Sequence, residues 1–487
     1  MDQLLLIPDL TRMTHLILRS VLPIILCISL NLEDGLAGNI NPDMLIISDI
    51  IIEGNYVTSE KLIFRELTFS LNDTVYNSDI EYLKRTSINN LVKTSLFNFV
   101  EIDTDEPMPG FLKFIINLTE RWYIWPTGNL SHTDRNFSEW WRTRDLSKLG
   151  YGFGIRINNL RGMGETLLLN SRLGDFTNYE LEYRGIFLDT GKRNSLSFFA
   201  SWSAKKVLPY VIESDKQVNL KEDFHLIRSL NLSSQYRYRK GYFNSHIVEL
   251  GYTDERIADT IYSLNPYYAG LSRNWLRYFN LKYEFRRDNR DSYIYPKTGH
   301  LLVAGFNRKG MNIIKNEYNS TDIFAQFYIY CKVVDRFYIA SGLWYRSVLD
   351  SEYVFSATTG LGYLDFVRGY EYYAVNGDNA FLFKSLVKYE ILPMKVINLK
   401  IWPIRNLHQF NRIPVEIYSN LFFDAGYVSD RSGMYKNYNN SLANKMMCSY
   451  GIGVDFVTYY DKVFRLDYSF NALGESGLFI HWKAAFR

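Results

Sequence analysis

YFNLKYEFR, residues 278–286, sets Phe279, Leu281, Tyr283 and Phe285 on one series of alternate positions and Asn280, Lys282, Glu284 and Arg286 on the other. Successive side chains of an extended strand point to opposite faces, so the segment presents one apolar and one charged face. The two faces must meet different surroundings. The same two-residue period returns in LNLSSQYRYR (230–239), where Leu230, Leu232, Tyr236 and Tyr238 oppose Asn231, Ser233, Gln235, Arg237 and Arg239. It returns again in VFRLDYSF (463–470), with Phe464, Leu466, Tyr468 and Phe470 against Arg465, Asp467 and Ser469. A soluble sandwich also alternates, but it turns its polar face to water and needs only modest strand lengths.

Composition and export decide between the two. With 38 Tyr, 32 Phe and 9 Trp, aromatic residues reach 16%, and they fall on the apolar faces, as in the girdles of membrane barrels. The first 37 residues read as a signal peptide: Arg12 and Arg19, the apolar stretch Val21 to Leu30, and a small-residue cleavage site ending at Ala37. No later stretch is apolar and continuous enough for a spanning helix, so strands must do any crossing. Lipid offers no partner to backbone N–H and C=O groups, and a sheet there closes on itself. The expectation is an all-β transmembrane barrel over 123–487, with about sixteen antiparallel strands at about 23 residues per strand and connection.

Residues 46–122 differ in texture. SDIIIEGNYVT (48–58) alternates and closes on Gly54-Asn55, SEKLIFRELTF (59–69) has a Ser N-cap and helix-period apolar residues, and Ile80, Leu83, Ile88 and Leu91 repeat at helical spacing. FVEIDTD (99–105) and GFLKFIINLTE (110–120) then read as strands. This α+β order resembles a single POTRA domain, and Ile50 to Ile52, Gly54-Asn55, Thr58 and Leu96-Phe97 carry the likeness.

Three further stretches extend the resemblance across the mature chain. FVRGYEYYAVNGDNAF (366–381) lies between the eleventh and twelfth alternating segments, in a loop of residues 349–379; DNRDSYIYPKTGH (288–300) precedes it and FFDAGYV (422–428) follows it. In this order they are similar to the BamA/TamA family of outer-membrane assembly factors, also called bacterial surface antigens. The resemblance implies that Val367, Arg368, Gly369 and Tyr370 form a loop motif folded back into the lumen. It also implies that Glu390 and Asp424 hold the arginine. A guanidinium in a narrow lumen needs carboxylates, and Glu390 shares a strand face with Lys388 rather than with Val387, Tyr389 and Ile391. Gly369 permits a sharp return of the chain, and Tyr370 packs as an amphipathic plug.

The barrel seam is the second candidate site. The first strand, WPTGNLSH (125–132), contains Pro126 and Gly128, both poor strand residues, so its pairing with the last, GLFIHWKAAFR (477–487), should be weak. An opened seam offers unpaired backbone to a client strand. Trp482 and Phe486 lie in a C-terminal stretch that resembles the β-signal of outer-membrane proteins, although Arg487 follows Phe486.

Catalysis, cofactors and metals find no residues to carry them. Gly474-Glu475-Ser476-Gly477 lacks the last glycine of a nucleophile elbow, the seven histidines never fall at HxH or HExxH spacing, and Cys27, Cys331 and Cys448 form no CxxC. A net charge of +3, from 55 basic and 52 acidic residues, gives no field for nucleic acid. The reading is a non-enzymatic assembly factor in the outer membrane of a diderm bacterium, with its POTRA domain in the periplasm. Its expected partners are the lipid bilayer, unfolded outer-membrane protein clients and periplasmic accessory lipoproteins. The alternatives are a polypeptide-secretion transporter of the two-partner type and a passive porin.

Overall fold

The computed structural model describes residues 44–132, 149–189, 191, 193–271, 273–349, 352–358, 360–398, 408–433, 436, 438–458 and 462–482. The signal segment 1–37 and Phe486 lie outside them. The N-terminal domain runs β1 (Met44–Glu53), α1 (Glu60–Glu66), β2 (Thr74–Tyr76), α2 (Ile80–Lys93), β3 (Phe97–Met108) and β4 (Phe111–Glu120). Its sheet order is β2-β1-β4-β3, with β1 and β4 parallel and the other pairs antiparallel. Ile47, Leu62, Ile63, Leu91, Phe114 and Ile116 form its core beneath the two helices. Strand β2 is an addition to the sequence reading, because three residues are too short to show a period.

The rest of the chain builds a 16-stranded antiparallel sheet. Its strands are β5 (Ile124–His132), β6 (Leu149–Leu160), β7 (Glu165–Leu173), β8 (Phe176–Phe187) and β9 (Asn194–Lys205). A separate hairpin, β10 (Val207–Glu213) and β11 (Lys216–Lys221), interrupts the meander. The sheet resumes with β12 (Ile227–Lys240) and β13 (Asn244–Ile257) and, after α3 (Asp259–Leu264), continues with β14 (Trp275–Asp288), β15 (Gly299–Lys309), β16 (Ser320–Val334) and β17 (Phe337–Leu349). Next come β18 (Asn379–Asn398), the single turn α4 (His408–Asn411) and β19 (Arg412–Ser429). Strands β20 (Met446–Thr458), β21 (Lys462–Asn471) and β22 (Ser476–His481) complete it. Neighbours in sequence are neighbours in the sheet, except that β9 pairs with β12 past the hairpin.

Register confirms the alternation and gives it a direction. Leu281 faces Leu250 across β14 and β13, and Leu232 faces Tyr252 across β12 and β13, so apolar positions line up on one face. On that face Leu250 is 58% exposed and Leu421 61%, whereas Glu284, Lys388, Asp455 and Asp467 on the other face are buried. Apolar side chains lie outside and charges inside, the inverse of a water-soluble sandwich and the distribution lipid requires.

The interior is filled from both ends. The turn after β14 sends Tyr295 to Asp455 (hydroxyl to Oδ2, 2.7 Å) and Lys297 to Glu416 (3.1 Å), across the lumen. From the other end, the loop between β17 and β18 folds in. Above it, the β10–β11 hairpin caps the interior: the Asp215 carboxylate accepts from the amides of Ser441 and Leu442, and its carbonyl accepts from the amide of Ala374. Among the described residues, β5 and β22 are each hydrogen-bonded on one side only, to β6 and β21.

Candidate functional site

Arg368 is fully buried, and the loop carries it to the wall at β19. Its Nε and Nη2 donate to the two carboxylate oxygens of Asp424 at 2.8 and 2.6 Å, and its own amide donates to Oδ2 at 3.1 Å. The guanidinium lies 3.8 Å from the centroid of the Phe422 ring, two residues along the same inward face. A planar fork matched to a carboxylate, and stacked on an aromatic face, is an arrangement lysine cannot reproduce.

The flanking residues seat this pair. Val367 is buried against Gly426, where an added Cβ would stand 2.5 Å from the valine methyl; the glycine of FFDAGYV is therefore the space the loop occupies. Gly369 has φ of +84°, a left-handed conformation that side chains disfavour, and its carbonyl accepts from Asn471 Nδ2 at 2.9 Å. The Tyr370 ring sits in a cluster with Trp344, Leu361, Val428 and Met447, while its hydroxyl accepts from the amide of Ala472 at 3.2 Å. The structure thus brings Val367, Arg368, Gly369, Tyr370 and Asp424 together.

Glu390 is a correction. It faces the lumen, as its parity with Lys388 required, but it is held by Lys297 (3.4 Å) and by the Tyr418 hydroxyl (2.9 Å), not by Arg368. Position explains the difference. Asp424 pairs in register with Lys384, whereas Glu390 lies six residues farther along β18, opposite Tyr418 and within reach of the turn after β14.

The loop also grips the end of the sheet, which the sequence reading missed. Phe366 stacks on His481 (centroids 5.5 Å apart), Tyr372 meets Phe479 at 5.5 Å, and the Tyr373 hydroxyl donates to Glu475 at 2.7 Å. His481 Nε2 lies 3.4 Å from Glu371. Inward parity on β21 and β22 was the available signal, since His481 and Phe479 oppose Arg465 and Asp467. At the other edge, Pro126 and Gly128 pair with Ile155 and Phe153 of β6. Trp482 stands just past β22, exposed, with its ring edge on Phe464. The head of β5 is met by Phe410 of α4, which lies 5.9 Å from Trp122, just before the strand, and 6.1 Å from Trp125 within it.

No family model matches the sequence, and no curated protein matches it. Solved structures do. The crystal structure of BamA from Haemophilus ducreyi lacking POTRA domains 1–3 is similar at 16% identity, over 90% of this chain and 83% of that one, with a TM-score of 0.48. CdiB from Escherichia coli is similar at 9% identity over 98% of both chains, TM-score 0.48. CdiB from Acinetobacter baumannii is similar at 14% identity over 90% of this chain and 73% of that one, TM-score 0.44.

Proposed function

We propose that the protein is a non-enzymatic assembly factor of the outer membrane, which uses the edges of β5 and β22 to template strands of client barrel proteins. In this reading residues 46–122 are a periplasmic POTRA domain that receives clients and accessory lipoproteins, and the leader directs export. The observation that carries it is the way the two terminal strands are held. Each has one hydrogen-bonded neighbour among the described residues, and each is packed by side chains of another element: β22 by the loop, and the head of β5, at Trp125, by Phe410. An edge held in this way keeps its backbone donors and acceptors in line for an incoming strand, which is the requirement of β-augmentation. A passive porin has no use for a lumen occupied from both ends and capped by a hairpin.

Depletion of the protein tests this. The expected outcome is a fall in many outer-membrane barrel proteins together, without a large conductance from the purified protein in planar bilayers. Loss confined to one secreted partner would replace this reading with polypeptide secretion, and a large open conductance would replace it with a porin.

A further inference from the structure

Where the N-terminal domain meets β12, β14 and the turn after β14 there is a cavity of about 490 Å³. Six cations line it: Arg65 and Lys93 from the domain, and Arg237, Arg239, Arg286 and Arg290 from β12, β14 and the turn beyond. Two lining carboxylates answer them. Glu66 is shared, taking Arg239 through both oxygens at 2.8 and 2.9 Å and Arg65 Nε at 2.7 Å. Asp288 is taken by Arg290 at 2.9 and 2.7 Å. Arg286 turns to Glu284 on its own strand, at 3.0 Å. Among the described residues neither Arg237 nor Lys93 has a carboxylate within ion-pair distance, and the Lys93 ammonium lies 5.4 Å over the Phe243 ring. The remaining wall is mixed: Leu62, Leu96, Phe187 and Phe243 stand beside Asn90, Thr94 and Ser245.

Like charges gathered in a recess repel, and the acids present are already committed to other bases. Surplus cations set beside aromatic rings and leucines are complementary to an anionic group carried next to a large apolar side chain. We propose that this cavity is a peptide-carboxylate site, which engages an acidic residue flanked by aromatic side chains in an extended polypeptide presented beside the N-terminal domain. This rests on the reading that the protein handles polypeptides, and it adds the chemistry of the segment that binds first. Arg237 and Lys93 supply the uncommitted charge, and Phe243 and Phe187 the apolar contact.

The test uses the full chain in detergent micelles and two blocked pentapeptides, glycine-phenylalanine-glutamate-phenylalanine-glycine and its glutamine counterpart, titrated at low salt. The glutamate peptide should bind at least about tenfold more tightly, a preference that fades as salt screens the site. The double substitution Arg237→Gln with Lys93→Gln should abolish the preference, and the pair Arg237→Lys with Lys93→Arg should retain most of it. Equal affinity for both peptides, or a preference unchanged in the glutamine double variant, overturns the proposal. So does binding of inorganic phosphate with no binding of either peptide, which would make this an oxyanion site of another kind. The binding assay needs no assembly activity, so a negative depletion result and a negative titration remain separate failures.

Discussion

Arg368 carries its charge where water does not reach, and that cost is met by one carboxylate and one ring. Breaking a buried pair from one side leaves the other charge uncompensated, at about 3–5 kcal/mol, well above the worth of a surface ion pair. Arg368→Ala should therefore lower the temperature at which the folded, fast-migrating band converts to the unfolded form on a gel. Arg368→Lys should fall between the two, because it keeps the charge and loses the fork and the stack. A variant Arg368→Ala that converts at the parent temperature would show that the Asp424 contact contributes nothing. The arginine, its glycine and Asp424 could be anticipated from the resemblance of their short motifs, with strand parity turning Asp424 inward. The displacement of Glu390 could not: its partner Lys297 arrives from a turn 93 residues away, and parity tells which face a side chain takes but not what crosses the lumen to meet it.

At the scale of elements, α1 joins the N-terminal domain to the barrel. Glu66, at its last residue, takes the fork of Arg239 from β12, and the Tyr242 hydroxyl donates to the Leu67 carbonyl at 2.6 Å. Burial pushes the Glu66 carboxyl toward a higher pKa, but the hydrogen bonds and charge of Arg239 and Arg65 outweigh it and hold the group below its ordinary range. A carboxyl lowered in the folded state contributes stability that is present above its unfolded pKa of about 4.3 and is lost as pH falls through the lower, folded value. Spin labels at exposed positions 81 and 240 should report a single distance at pH 6 and a broadened one as the pH falls below the ordinary carboxylate range. Glu66→Gln should give the broadened distribution already at pH 6, with no further acid dependence; a distance unchanged by acid and by the substitution would assign the docking to other contacts. The strands of the large sheet were legible because a two-residue period repeats across many segments. This junction was not, since Glu66 and Arg239 are 173 residues apart, and the alternation that sets Arg239 on the polar face of its strand does not name its partner.

For the whole molecule, β18 is the strand that both braces share. The loop before it grips β22 through Phe366, Tyr372 and Tyr373, and the connection after it places Phe410 against Trp122 and Trp125 at the head of β5. Strand β18 and its partner β19 are also the longest pair among the described strands of the sheet; Lys395 to Asn398 extend beyond the end of β17, and Arg412 to Pro414, paired with them, extend beyond the end of β20. That extension is what lets the connection reach the first strand. Aromatic contacts of this kind contribute about 0.5–1.5 kcal/mol beyond their buried area, enough to change local opening by roughly three- to tenfold. Phe410→Ala should thus speed amide hydrogen exchange in residues 124–128 by about that factor while leaving β7 and β8 unchanged. Arg368→Ala, which frees the loop, should instead speed exchange in residues 476–481. If both variants loosen both edges equally, the terminal strands are not held independently, and the two edges open as one unit governed by β18 itself.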